Sequence, residues 1–287
     1  MKYGIVYAYW SNDWEGDYIP AIKRAAACGF DVLEIFTPML LTLPKAKLDE
    51  IKATAKEYNI ELTYLIGLPK EYDLSSEEEG VRNAGIVYVK KILDVIYYLG
   101  GNCFSGINFC AWSNFDGKIN KHRRLGNSVK SIKKLSKVAE EYGISYNLEI
   151  TNRFEQFLLN TSAEAVEFTK MVGSPNVNIL LDVFHMNIEE DSMYEAIRTA
   201  GDKLGHFHVG TNNRRPPRDC MVNWGQVAKG LKEVGYDKVI TLEPLVKVGG
   251  TVALDSKVWR DMANHADEAK MDADAKAGLA YMKNLMK

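Results

Sequence analysis

Residues 178–182 read Asn-Ile-Leu-Leu-Asp, a short apolar run that a polar residue closes. The pattern occurs in three further stretches, namely Ser-Tyr-Asn-Leu-Glu at 145–149, Gly-His-Phe-His at 205–208 and Ile-Thr-Leu-Glu at 240–243. Short apolar runs of this kind are typical of strands that are buried on both faces of a parallel sheet. The carboxyl ends of such strands meet at one edge, where α/β proteins place their sites. The four stretches therefore predict a parallel sheet and a polar site at its edge.

Strand-like runs alternate with longer amphipathic stretches along the whole chain, which is the pattern of parallel strands joined by crossover helices. The predicted strands are 3–9, 32–36, 61–66, 103–109, 145–150, 177–181, 204–209 and 239–242. The predicted helices include 44–58, 80–99, 123–142, 162–172, 193–200 and 224–234. Eight units in 287 residues take about 36 residues each, a usual length for a strand–helix unit. We predict a single (β/α)₈ TIM-barrel domain over residues 1–287, with a doubly wound open sheet as the alternative.

Composition narrows the class of partner. The chain has 36 Lys and Arg against 38 Asp and Glu, a net charge of −2, which gives no general attraction to nucleic acid or to anionic membranes. The uncharged run 95–115 holds three Gly and three Asn, too many for a membrane span. The four cysteines are scattered and form no C-x-x-C pair, so we expect reduced thiols in a cytoplasmic protein. The expected partner is a small molecule.

Four residues that close or nearly close predicted strands are candidate metal ligands: Glu149, Asp182, His208 and Glu243. The intervals between them are 33, 26 and 35 residues, so they fall on successive strands five to eight. Three crowded carboxylates repel one another unless a cation lies between them. Oxygen-rich ligation with one imidazole favours Mn²⁺, Co²⁺ or Mg²⁺ over a thiolate zinc site. The alternative is a set of helix caps and buried hydrogen bonds.

Other polar and aromatic residues follow the same strands or neighbouring ones. Arginine and histidine there could hold hydroxyl groups or a developing oxyanion, with loop ion pairing as the alternative. These residues are Asn152, Arg153, Glu155, His185, Asn213, Arg214 and Arg215. Trp10, Trp14 and Trp112 could form an apolar wall, and core packing explains each of them equally well.

Three more histidines have other predicted roles. His206 lies one layer below His208 on the same strand face, which favours a hydrogen-bonded core histidine over a fifth ligand. His122 and His265 lie in polar surroundings and are predicted at the surface.

The sequence resembles the ketose 3-epimerases, the D-tagatose 3-epimerase and D-psicose (D-allulose) 3-epimerase family of xylose-isomerase-like barrels. The matching stretches are 152–155, 181–182, 184–190, 205–208, 213–214, 243–244 and 258–262. Residues 104–112, Phe-Ser-Gly-Ile-Asn-Phe-Cys-Ala-Trp, look more like the D-tagatose branch than the D-psicose branch. The likeness runs essentially from end to end.

The resemblance implies roles for individual residues. Glu149, Asp182, His208 and Glu243 would bind one divalent metal, Mn²⁺ first, and Glu149 and Glu243 would also be acid and base. Glu155, His185 and Arg214 would contact the substrate, and we place Trp112 with them. The implied reaction inverts C3 of free ketoses, of the D-tagatose/D-sorbose and D-fructose/D-psicose type, through a cis-enediolate. A homodimer or homotetramer is expected.

The chain departs from the family pattern in the loop after strand seven. Thr211 stands where the family usually has Glu, and residues 216–218 read Pro-Pro-Arg where Pro-Gly is usual. Because the changes lie close to Arg214, we expect them to shift the preference among ketoses while leaving the metal ligands intact.

Three other functions are compatible with a predicted barrel of this kind. Arg214, Arg215, Arg218 and residues 247–250 could form a phosphate site, which would suit an isomerase or epimerase of a sugar phosphate or of another ketose. An endonuclease-type barrel would need more histidines than the five present and a basic surface. A sugar-binding protein without catalysis would not need both Glu149 and Glu243.

Overall fold

Eight parallel strands close into a barrel in the order in which they occur along the chain. The computed structural model describes residues 1–115, 117 and 119–287. The strands are β1 (Lys2–Val6), β2 (Val32–Phe36), β3 (Glu61–Leu68), β4 (Cys103–Ala111), β5 (Ser145–Ile150), β6 (Val177–Asp182), β7 (Leu204–Val209) and β8 (Val239–Leu242). Pairing of β1 with β8, for example Gly4 opposite Thr241, completes the ring. The predicted barrel is confirmed, and the open sheet is wrong because it would leave these two strands as free edges.

Helices connect the strands on the outside of the barrel. They are α1 (Tyr18–Cys28), α2 (Lys45–Glu57), α3 (Glu79–Leu99), α4 (Lys121–Tyr142), α5 (Ser162–Val172), α6 (Val183–Glu189), α7 (Met193–Ala200), α8 (Trp224–Glu233), α9 (Gly250–Ser256) and α10 (Glu268–Leu285). Their apolar faces pack on the barrel, as with Ile92, Leu93 and Ile96 of α3, all buried. The two predicted helices 162–172 and 193–200 have the predicted bounds, and the others differ by one or two residues at an end.

Sequence patterning located the strands well, and the bounds of β2, β5, β7 and β8 are those predicted. The prediction that the first strand runs to residue 9 is wrong. β1 ends at Val6, and Tyr7–Tyr9 form a 3₁₀ turn that the Trp10 N–H closes on the carbonyl of Tyr7 at 3.1 Å. All three turn residues are buried, so the apolar run continues while the backbone leaves the sheet, a change that periodicity cannot detect.

Two further expectations concern the chain as a whole. Cys28, Cys103, Cys110 and Cys220 are free, as predicted. Within the described residues, no helix combines the length and the apolar character that crossing a bilayer requires.

Candidate active site at the carboxyl end of the barrel

The four predicted ligands converge at the carboxyl ends of β5 to β8. Glu149 is the penultimate residue of β5, Asp182 ends β6, and His208 lies directly opposite Asp182 on β7. Glu243 follows β8, where its N–H donates to the Val209 carbonyl at 3.0 Å. All four side chains are buried. The closed ring therefore gathers three carboxylates and one imidazole, as the intervals predicted.

Two overlapping groups of three side chains, which share Glu149, are close enough to hold a metal ion. One atom each from Glu149, His208 and Glu243 lie within 4.8 Å of one another, and so do atoms of Glu149, Asp182 and His185. His208 Nδ1 is 3.4 Å from Glu243 Oε2 and 3.8 Å from Glu149 Oε1. Asp182 also caps α6 by accepting a hydrogen bond from the N–H of Phe184 at 3.0 Å. The alternative role as a helix cap therefore applies to Asp182 in addition to its place in the cluster.

Arg214 supplies positive charge to the cluster. Its Nη1 donates to Asp182 Oδ2 at 2.7 Å and to Glu243 Oε2 at 2.6 Å. The guanidinium carbon lies 4.1 Å from the centre of the Phe184 ring, a cation–π contact. The backbone of Arg214 has φ +63°, an uncommon conformation for a residue with a side chain.

His185 and Glu155 form a second polar group beside the carboxylates. The Asn152 N–H donates to His185 Nδ1 at 3.2 Å, and the Arg214 guanidinium lies 3.1 Å from Nε2, which also faces Glu149 at 3.7 Å, so each ring nitrogen has a donor beside it. Burial, followed by the charge of Arg214, lowers the pKa of His185 well below its usual value, which favours the neutral ring. Glu155 accepts from Trp112 Nε1 at 3.1 Å and from Asn152 Nδ2 at 3.2 Å.

Aromatic and aliphatic residues form the remaining wall of a cavity of about 430 Å³. The lining includes Trp14, Phe36, Ile66, Gly67, Ile107, Trp112 and Leu245, together with Glu149, Glu155, His185, Arg214 and Glu243. The Trp112 ring lies against the backbone of Gly67, where a Cβ would come 2.4 Å from the indole. A cavity with one apolar wall and convergent polar groups is the usual form of a small-molecule site.

Several residues considered in the sequence lie elsewhere. Arg153 points outward, 62% exposed, and pairs with Glu189 at 2.8 Å. Trp10 does not line the cavity and packs under the guanidinium of Arg24. His122 and His265 are exposed, as predicted. His206 is a buried histidine whose Nε2 is hydrogen-bonded to Thr241 Oγ1 at 3.2 Å, so the prediction of a hydrogen-bonded core residue is confirmed.

The two candidate acid–base glutamates have opposite electrostatic surroundings. Burial and then the charge of Glu243 raise the pKa of Glu149 well above its usual value. Burial also disfavours the ionised form of Glu243, but His208 and Arg214 outweigh it and hold its pKa at about 2. The pKa of Asp182 is raised, because burial outweighs the stabilising charge of Arg214. Pairs of carboxyls whose pKa values are pushed apart are typical of acid–base sites.

Glu34 is a residue that the sequence reasoning missed. It lies inside β2, is fully buried, and reaches His208 Nε2 at 2.7 Å and His206 Nε2 at 2.9 Å. Burial disfavours its charge, yet the two imidazoles hold the pKa of Glu34 well below its usual value. A signal was present, because a lone carboxylate interrupts the apolar run Val-Leu-Glu-Ile-Phe. Glu34 lies inside a strand, so a search limited to the residues at strand ends does not find it.

Comparisons with known proteins agree with this geometry. Residues 22–281 match the family model of the xylose isomerase-like TIM barrel. D-psicose 3-epimerase of Ruminiclostridium cellulolyticum is 40% identical over 100% of this chain and 98% of its own, and that of Agrobacterium fabrum is 40% identical over 98% of both. A crystal structure of D-psicose 3-epimerase with D-tagatose from Clostridium cellulolyticum superposes with a TM-score of 0.98 at 40% identity, covering 100% of both chains. The chain therefore belongs to the ketose 3-epimerase family of xylose isomerase-like TIM barrels, a family of isomerase-class enzymes.

Proposed function

We propose that the protein is a metal-dependent epimerase that inverts C3 of free ketoses, of the D-tagatose/D-sorbose and D-fructose/D-psicose type. The observation that carries the proposal is the pair Glu149 and Glu243, which face one cavity from β5 and from the end of β8 with His208 between them. Relatives named D-psicose 3-epimerase and L-ribulose 3-epimerase support the ketose class. A cytoplasmic location, a homodimeric or homotetrameric assembly and the likeness to the D-tagatose branch stay predictions from the sequence.

The residues present suit a divalent metal. His208 Nδ1 is buried and has no hydrogen-bond partner among the described residues, and it faces two carboxylates. Glu149, Asp182, His208 and Glu243 would hold the ion, and the oxygen-rich set favours Mn²⁺, with Co²⁺ or Mg²⁺ as alternatives. When bound, the metal would polarise the carbonyl of the ketose and stabilise negative charge on its oxygens.

Inversion at C3 requires one group to take a proton from one face of the sugar and another to deliver a proton to the opposite face. Glu149 and Glu243 come from different sides of the cavity, so a ketose lying between them would have a carboxyl group on each face. Removal of the C3 proton gives a cis-enediolate, and protonation from the other side gives the epimer. Because the reaction is reversible, each glutamate is the base for one epimer and the acid for the other.

The remaining groups would hold the sugar and exclude water. Glu155 accepts hydrogen bonds from Trp112 and Asn152 and can accept one from a sugar hydroxyl, while the guanidinium of Arg214 can donate to a sugar oxygen. Trp112 covers one side of the cavity and would pack on the apolar face of the sugar. These contacts fix the orientation of C3 relative to the two glutamates.

The phosphate alternative is less well supported. Arg214 points at carboxylates, which would compete with a phosphate. Arg215 and Arg218 line a different depression with Tyr9 and Met262. Lys247 donates to the Trp10 carbonyl at 3.1 Å. No group of these cations within the described residues converges on the cavity, so a free ketose is the better substrate.

Replacing either glutamate by glutamine tests the two-carboxyl mechanism. We expect Glu149→Gln and Glu243→Gln each to lower kcat by about 10³-fold or more, because a general base contributes roughly 10²–10⁴-fold and a ligand is weakened as well. Glu167→Gln, which changes an exposed glutamate paired with Lys170, is the matched control. Rates are measured by epimer formation, and circular dichroism checks the fold. Activity within tenfold of wild type in either site variant would contradict the mechanism.

Metal removal tests the ligand set. We expect EDTA treatment to abolish activity and to lower Tm, with Mn²⁺ or Co²⁺ restoring both, because a ligand that binds only the folded state stabilises it by about 2.7 kcal/mol at 100 times Kd. In Asp182→Asn, added Mn²⁺ should raise Tm much less than in wild type. A protein shown by elemental analysis to be metal-free and still fully active would refute the site.

The loop after β7 bears on the preference among ketoses. Thr211 is buried, and its hydroxyl donates to Asn213 Oδ1 at 2.7 Å and accepts from the Arg215 N–H at 2.9 Å, so it shapes the turn that carries Arg214. Arg218 is exposed and does not line the cavity. Of the two differences from the family pattern, Thr211 rather than Arg218 is therefore expected to affect the preference among ketoses.

Removing the Thr211 hydroxyl should loosen Arg214. We expect Thr211→Val to raise KM by about 2- to 10-fold, the equivalent of one hydrogen bond, and to change the ranking of D-tagatose, D-psicose and D-fructose by kcat/KM. Thr211→Ser keeps the hydroxyl and should behave like wild type. If all three kcat/KM ratios in Thr211→Val stay within twofold of wild type, the loop has no part in selecting the ketose.

A further inference from the structure

A buried carboxylate below the candidate metal site has no part in the mechanism above. Glu34 is fully buried on β2, and one oxygen of its side chain faces each of two histidines. Oε1 lies 2.7 Å from His208 Nε2, a close polar contact without hydrogen-bond geometry, and Oε2 lies 2.9 Å from His206 Nε2. Thr63 on β3 donates to Oε2 at 2.7 Å. Burying an ionised carboxylate costs free energy unless polar contacts compensate for the lost hydration.

The contact with His208 determines which way that ring faces. Since Nε2 is directed at Glu34, Nδ1 is directed at Glu149 and Glu243. A flipped ring would place carbon atoms toward the carboxylates and remove the nitrogen ligand. Histidines that bind metals commonly place their other ring nitrogen against a carboxylate, which fixes the ring and raises its basicity.

Glu34 is itself held in place from both sides. Thr63 fixes Oε2 from one neighbouring strand, and His206 Nε2 lies 3.2 Å from Thr241 Oγ1 on β8. These groups lie in the barrel interior, below the cavity and out of contact with it. The arrangement joins four strands beneath the site and restricts Glu34 to one position.

Glu34, His206 and His208 do not suit a second metal ion. An ion bound to a carboxylate oxygen and an imidazole nitrogen lies about 2.0–2.2 Å from each, and ligands at right angles are then about 3 Å apart. The 2.7 Å separation of Glu34 Oε1 and His208 Nε2 is shorter than that, which corresponds to a direct contact.

We propose that Glu34 is a positioning residue, which fixes the His208 ring so that Nδ1 faces Glu149 and Glu243, and which thereby sets the affinity of the site for its metal. The proposal rests on the proposed function, because it assumes that His208 binds a divalent ion. Glu34 touches neither substrate nor metal, so its effect on catalysis would pass entirely through His208.

Mn²⁺ binding to the metal-depleted protein tests the proposal without using activity. We expect Glu34→Gln to weaken Mn²⁺ binding by about 10- to 100-fold, the usual effect of removing such a partner, as measured by calorimetry or by the free-Mn²⁺ signal in electron paramagnetic resonance. At saturating Mn²⁺, kcat should recover most of its wild-type value with KM for the ketose unchanged. Glu61→Gln, at the exposed start of β3, is the matched control and should bind as wild type does.

A purely structural role gives a different result. Glu34→Gln would then lower Tm of the metal-depleted protein while Mn²⁺ binds with wild-type affinity, and that outcome would overturn the proposal, as would two Mn²⁺ ions per wild-type chain. Should Glu34→Gln fail to fold, Thr63→Val removes only the hydroxyl that holds Glu34. Its Kd for Mn²⁺ should rise at least threefold, and an unchanged Kd would be equally decisive against the proposal. A wild-type protein that binds Mn²⁺ but epimerises no ketose would refute the proposed function alone.

Discussion

Repulsion among three buried carboxylates is the constraint on which the site depends. Glu149, Asp182 and Glu243 lie together and are almost completely buried, and like charges interact more strongly there than in bulk solvent. The fold offsets this repulsion with the guanidinium of Arg214 and the imidazole of His208. The side chains of this cluster are close enough to hold a metal ion. Burial and the charge of Glu243 raise the pKa of Glu149, whereas His208 and Arg214 outweigh burial and lower the pKa of Glu243.

Barrel closure makes this crowding possible. The strands β5 to β8 are consecutive in the ring, so residues that are far apart in sequence come together at the carboxyl end of the barrel. The helices and loops then add groups that a strand cannot supply, such as the Arg214 guanidinium from the turn after β7 and the Nε2 of His185 from α6. The rigid ring holds the carboxylates, and the loops supply the donors that would select the substrate.

The sequence predicted the barrel and the four converging ligands because both depend on local patterns, namely apolar runs with a polar end at intervals of one strand–helix unit. It did not predict what depends on the path of the backbone or on contacts between distant strands. The end of β1 at Val6 is of the first kind, because the apolar run continues into the turn. Glu34 is of the second kind, since its significance comes from His206 and His208, more than 170 residues away. The outward turn of Arg153 toward Glu189 is likewise invisible in the order of residues.

The central claim is that the cavity removes a proton from C3 of a free ketose on one face and returns a proton on the other. The most direct measurement follows D-tagatose or D-fructose in D₂O by proton NMR, with the protein and Mn²⁺. The account predicts that the C3 proton signal disappears and that the epimer formed carries deuterium at C3, because the proton delivered comes from a different glutamate that has equilibrated with solvent. An epimer that forms while retaining its original C3 hydrogen would contradict the account.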